Sequence, residues 1–267
     1  MTERVERLWL RTLPHLARDY AWIERDGLYM YGTKAHQKNM YRVARGSFER
    51  YTTELFTAAV EPGMVVLDIG AYIGHFALQA ARFVGPEGRV FAFECHPASF
   101  RFLQHNIAIN GLEGTVVPVQ MAVAHRSGVM PFFLRGADKT LSSLWQSRRA
   151  DETVEVEVTS IDEMFVDQQI DVIKLDVEGG EIQALRGMER TLARATKLAL
   201  FVECNPSALA AAGGSVAGLL DCLDGFDDVR VIHERPRALS ADLDELFEAE
   251  RSGSKKYFVN LYCTKGL

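Results

Sequence analysis

Six apolar runs, at 64–69, 89–94, 115–119, 170–176, 197–203 and 228–233, recur along the chain with segments of helical period between them. Runs this short and this rich in Val, Ile, Leu and Phe have the usage of strands buried on both faces. The patterns at 74–84, 97–110, 180–193 and 214–224 space their apolar residues three and four apart, as helices do when one side packs on a sheet. Pro97 suits a helix start and Asn110-Gly111 a helix stop. Strands alternating with helices predict a parallel sheet covered on both faces. A last run, KYFVNLYC, adds a seventh strand, reached by a hairpin-like excursion and therefore antiparallel. The expected fold is α/β and Rossmann-like, with a seven-stranded, mostly parallel sheet.

The rhythm breaks at 129–159, where VMPFFL and TVEVEVTSI read as two strands around a polar loop. Residues 136–150 of that loop lack an apolar period and form a candidate lid. Another variable insertion, 235–254, contains the acidic helical stretch DLDELFEAE. At the N-terminus, charges and apolar residues alternate with helical spacing. This predicts a helical appendage over 1–45, attached to a main domain spanning 46–267.

The decisive chemistry sits in VVLDIGAYIG at 65–74: a strand ending in Asp68, a tight turn through Gly70, and a helix entered at Gly74. Glycine lets the backbone turn sharply and approach a ligand, while the first helical amides point at it. Tyr72 and Ile73 stand where a dinucleotide motif has closely spaced glycines, and Asp68 would repel a pyrophosphate. A carboxylate suits a cationic ligand instead. S-adenosylmethionine carries an ammonium and a sulfonium, and Glu94, closing the next strand, stands where an acid accepts both ribose hydroxyls.

IDVIKLDVEGGE at 170–181 is the second informative block. Lys174 lies inside a strand, which is costly unless a carboxylate compensates it. With period two, Lys174 and Asp176 point the same way, and Glu178 continues that side if the chain stays extended. Three charges thus converge at the carboxyl edge of the sheet, where open α/β folds bind ligands. Glu181 reads as a charge on the first turn of the following helix.

Composition narrows the field a little further. A chain of 267 residues, 48% hydrophobic and 25% charged, can bury one full α/β core. Its net charge of −6 argues against nucleic acid as the main partner. Cys95, Cys204, Cys222 and Cys263 are scattered and read as reduced thiols, which with no long apolar stretch predicts a cytoplasmic protein without a membrane span.

LDIGAYIGHFAL, FAFECHP, NIAING, LSSL, TSIDEMF and above all DVIKLDVEGGEIQALRGM, in this order over roughly residues 46–205, resemble the FkbM family of S-adenosylmethionine-dependent methyltransferases. The resemblance implies the seven-stranded methyltransferase sheet and O-methylation of a hydroxyl on a sugar, polyketide or other small secondary metabolite. It also implies that Asp68, Gly70, Gly74 and Glu94 hold the cofactor, with Tyr72 in the same turn. Ala122 would border the adenine, Ser143 and Asp176 would lie near the reaction centre, and Glu49 would match an acid ahead of the first strand.

Methyl transfer to an alcohol needs alignment and removal of a proton. In the favoured reading, Asp176 or Glu178 is the base and Lys174 fixes the carboxylate. The alternative has Asp176, Glu203 and Asn205, ending adjacent strands, hold Mg²⁺. His75 and His96 follow the first two strands and either reach the site or pack beside it. An NAD-dependent oxidoreductase on the same cradle, or a binding module without catalysis, are the rival classes.

Overall fold

Neighbouring residues of strand β3 (Val65–Ile69) face opposite ways, and that alternation divides the core in two. Val66 joins a cluster with Phe56, Phe76, Ala77 and Phe201 on one side of the sheet. Leu67 and Ile69 join Ile182, Leu185, Leu209 and Leu246 on the other. A sheet apolar on both faces must be covered on both, which is why the chain wraps helices around it.

The computed structural model describes residues 20–33, 36–134, 144, 152–234, 239–254 and 257–267. An antiparallel hairpin, β1 (Tyr20–Arg25) and β2 (Leu28–Thr33), leads into α1 (Gln37–Ala44) and α2 (Arg50–Ala59). After β3 come α3 (His75–Val84), β4 (Arg89–Phe93), α4 (Pro97–Ile109) and β5 (Val116–Val119). The short β6 (Ala122–Val123), with β7 (Gly128–Leu134) and β8 (Glu152–Thr159), forms a separate small sheet around Phe132, Leu134, Val156 and Val158. Next follow α5 (Ile161–Met164), β9 (Val172–Leu175), α6 (Glu181–Arg186), α7 (Glu189–Arg194) and β10 (Leu198–Cys204). The chain closes with α8 (Pro206–Ala211), α9 (Val216–Asp221), β11 (Asp228–Ile232), β12 (Leu239–Ser240), α10 (Asp244–Ser252) and β13 (Val259–Lys265).

The main sheet runs β12-β11-β13-β10-β9-β3-β4-β5. β10, β9, β3, β4 and β5 are mutually parallel, and β13 inserts antiparallel between β10 and β11. The Rossmann-like arrangement is as expected, including the antiparallel last strand. The count differs: eight strands, because the two-residue β12 pairs on the outer edge of β11 within the region read as an insertion.

Two further expectations change. Among the described residues, 20–33 of the appendage form the β1–β2 hairpin and helix follows at Gln37, while residues 1–19 of the expected helical appendage lie outside the described residues. Side-chain amides tie the hairpin to α4: Asn106 and Asn110 each accept from and donate to the backbone of β2, at Tyr31 and Tyr29. The single helix expected at 180–193 is two. A Cβ on Gly187 would overlap the main-chain oxygen of Ala124, so the chain passes that point closely, and Asp162 restarts the helix by accepting the Arg190 and Thr191 amides.

Strand order reverses around β3, whose sequence neighbour β4 lies on one side and β9 on the other. Such a switch point opens a crevice at the carboxyl ends of the strands. Ile69 is level with Phe93 and Leu175, and Leu175 with Val202. Gly70, Glu94, Asp176 and Glu203 therefore leave four adjacent strands at one height.

Candidate active site

Those four exits open into a cavity of about 370 Å³, within the range of small-molecule sites. Its lining brings together Glu49, Asp68, Gly70, Tyr72, Glu94, Ala122, Lys174, Asp176, Glu178, Glu203 and Asn205. His75 and His96 line it as well. Gly74 does not: with φ 104° it caps α3 behind the turn and packs toward Leu103. Ser143 and the candidate lid, apart from Leu144, lie outside the described residues.

At the turn, Gly70 has φ 89°, a conformation that favours glycine. Two carboxylates then fix the start of α3. Asp68 accepts the Ala77 amide at 2.8 Å, and Glu94 accepts the Tyr72 amide at 2.8 Å and the His96 amide at 2.7 Å. Burial pushes both acids up to about 7, against the opposing pull of those amides and, for Asp68, of Lys174. His96 caps α4 by accepting from the Ala98 and Ser99 amides, and His75 meets the Thr53 hydroxyl at 3.1 Å. Burial and the nearby Lys174 lower His75 to about 4, so it is neutral.

Lys174 is the centre of charge on the cavity floor. It is 1% exposed, lies 3.2 Å from Asp176 Oδ2 and sits over the Phe76 ring at 5.1 Å. Burial disfavours its charge, but Asp176, Glu49 and Glu203 outweigh burial and hold its pKa above the ordinary lysine value. Burial raises Glu49 and Glu203 in turn, with Lys174 opposing. Glu49 reaches the floor from a left-handed position at the start of α2, where Asn260 of β13 donates to it at 3.0 Å.

Glu178 does not continue the strand. Its φ is 53°, and the loop it occupies is fixed by buried Glu181, which accepts the Val177 and Gly179 amides. Sequence reasoning passed over Lys38, Arg42 and Phe48 at one side of the cavity, and Cys95, Phe132 and Phe258 elsewhere in its wall. Lys38 and Arg42 are four apart on a helix, a spacing too common to single them out.

The segment 68–234 matches the sequence profile described as the methyltransferase FkbM domain, more than half of the chain. The chain belongs to the FkbM methyltransferase family. Among curated relatives, methyltransferase sdnD of Sordaria araneosa is 24% identical over 194 residues, 58% of this chain and 74% of its own. Hexuronic acid methyltransferase AglP of Haloferax volcanii is 26% identical over 163 residues, 58% of this chain and 62% of its own. The solved methyltransferase FkbM of Methylobacillus flagellatus is 14% identical, with a TM-score of 0.47 over 97% of this chain and 59% of that one.

Membership in the FkbM family settles the class as methyl transfer and sets aside the oxidoreductase alternative. The Mg²⁺ arrangement finds no support locally: Asn205 Oδ1 caps α8, accepting from the Ala208 amide and the Ser207 hydroxyl. Among the described residues no cluster of three His, Cys, Asp or Glu side chains is placed for a metal. No helix among them is long and apolar enough to cross a membrane.

Proposed function

We propose that this FkbM enzyme transfers a methyl group from S-adenosylmethionine to a hydroxyl of a small, sugar-like or similarly oxygenated acceptor, with a cavity carboxylate taking the proton. The donor set fits that cofactor. Glu94, oriented by two amides, has lone pairs left for ribose hydroxyls, and the acids around Asp68 favour the cationic end of a methionine. A pyrophosphate would meet those same acids, and the Tyr72 and Ala77 amides are already donated to Glu94 and Asp68. When bound, S-adenosylmethionine supplies a methyl group activated by sulfonium and open to in-line displacement.

The observation that carries the reading is the ion pair of Lys174 with Asp176. Lys174 anchors the carboxylate while leaving Asp176 partly exposed on the cavity wall, level with the cofactor turn. Asp176 is thereby positioned to accept the acceptor's proton as its oxygen attacks; Glu178, on the same edge, is the second candidate base among the cavity carboxylates. The relative named for hexuronic acid supports an acceptor of sugar type. The net charge of −6 favours a small molecule over nucleic acid, and four unpaired cysteines favour a reducing compartment such as the cytoplasm.

The test is turnover on a panel of hydroxylated acceptors, read as release of S-adenosylhomocysteine. If Asp176 is the base, Asp176→Asn lowers turnover roughly 10²–10⁴-fold while S-adenosylhomocysteine affinity stays near wild type. A chelator leaves turnover unchanged, and the product is an alkali-stable ether. Wild-type turnover in Asp176→Asn and in Glu178→Gln contradicts a carboxylate base.

A further inference from the structure

The cavity is strongly acidic around Lys174. Glu49, Asp68, Glu94, Asp176, Glu178 and Glu203 all line it. Such a surface suits ammonium, sulfonium and hydroxyl groups and repels a carboxylate. Yet the methyl donor of the proposed function, on which this inference rests, carries a carboxylate on the same carbon as its ammonium. That group has to leave the floor and find a cation.

Lys174 cannot supply one, because it is buried and already compensated by Asp176, Glu49 and Glu203. At the turn, the Tyr72 and Ala77 amides are donated to Glu94 and Asp68. Two other cations line the cavity, Lys38 and Arg42, both on α1. Four residues apart, they share one face of that helix. Among the described residues neither belongs to an ion pair. Arg42 is held in place, its guanidinium 5.1 Å above the ring of Phe48, which also lines the cavity. The helix begins against the cofactor turn: His36, just ahead of α1, packs its ring 5.1 Å from Tyr72 and 4.9 Å from Phe102.

We infer that Arg42, assisted by Lys38, binds the carboxylate of the methyl donor, so that α1, which lies ahead of the matched family segment, completes the donor site. A guanidinium matches a carboxylate with two parallel hydrogen bonds, and one held over an aromatic face can still present its N–H edge to make them. The arrangement sorts the two charges of the amino acid: ammonium toward the floor, carboxylate toward α1.

Calorimetric titration with S-adenosylhomocysteine and with its decarboxylated analogue, which keeps the amine, tests this without an acceptor. Arg42→Ala should weaken S-adenosylhomocysteine roughly ten- to a hundredfold, the size expected for charge-assisted hydrogen bonds, and leave the analogue's affinity unchanged. Arg42→Lys should recover part of the loss, and thermal unfolding should show the variants folded. Equal loss for both ligands would mean that α1 merely shapes the cavity, and no loss for either would mean that the carboxylate lies elsewhere; both overturn the inference. Wild-type protein that binds neither ligand would overturn the donor reading itself, and this inference with it.

Discussion

The α-carbon of Gly70 faces the main-chain carbonyl of Asp176 so closely that a Cβ there would overlap its oxygen and lie 2.9 Å from its carbon. The glycine turn after β3 and the acid-bearing loop after β9 are thus one packed unit, built from the ends of adjacent strands. Gly70→Ala must both relieve that overlap and hold a left-handed φ. It should destabilise the protein by on the order of 2–4 kcal/mol in chemical denaturation and abolish S-adenosylhomocysteine binding. A variant with wild-type stability and affinity would show that the two loops are independent.

Lys174 is the buried counter-charge shared by Asp176, Glu49 and Glu203, so its removal should act far beyond one ion pair. Lys174→Met leaves buried Glu49 and Glu203, and half-buried Asp176, without compensation, and loss of one partner of a buried pair costs about 3–5 kcal/mol. Glu49 and Glu203, already raised by burial, then rise further and are more readily protonated. The deficit relative to wild type should therefore be largest in alkaline buffer and shrink as pH falls, a trend that denaturant midpoints at several pH values will read. A deficit independent of pH would indicate lost packing instead of lost charge.

The wild-type protein has its own pH signature. Burial raises Asp68, Glu94 and Glu181 to about 7, so each binds its proton more tightly in the folded protein than in the unfolded chain. Stability from these groups is complete below the ordinary carboxylate range and is lost as pH rises through about 7. The melting temperature of ligand-free protein should fall from about pH 5 to about pH 8. Glu181→Gln, which keeps an acceptor for the Val177 and Gly179 amides without a charge, should flatten part of that slope. A melting temperature that rises over the same range contradicts these shifts.

Much of this was readable from residues alone, and the reason is local. Asp68, Lys174 and Asp176 stand out because charges inside or ending apolar runs must be compensated, and strand alternation with parallel order brings them together. The rest depends on backbone direction that spacing does not reveal. Glu178 leaves the strand's alternation through a left-handed residue, and Glu49 enters the floor through another. Asn205 ends the right strand for a metal ligand, but its side chain turns back onto its own helix. The helix break at Gly187 lies against the backbone of Ala124, far away in sequence, and residues 20–33 form a hairpin that asparagines of α4 pair along its edge.

The central claim is that the acids at the strand ends form a site for S-adenosylmethionine, and Glu94 tests it most directly. Its carboxylate is held by two amides next to the turn, and its proposed task is to accept ribose hydroxyls. Titration calorimetry of S-adenosylhomocysteine into wild type should show binding, and Glu94→Gln should weaken it by about 1–3 kcal/mol, with the variant shown folded by its thermal transition. Identical affinities, or a wild-type protein that binds no S-adenosylhomocysteine, would contradict the account.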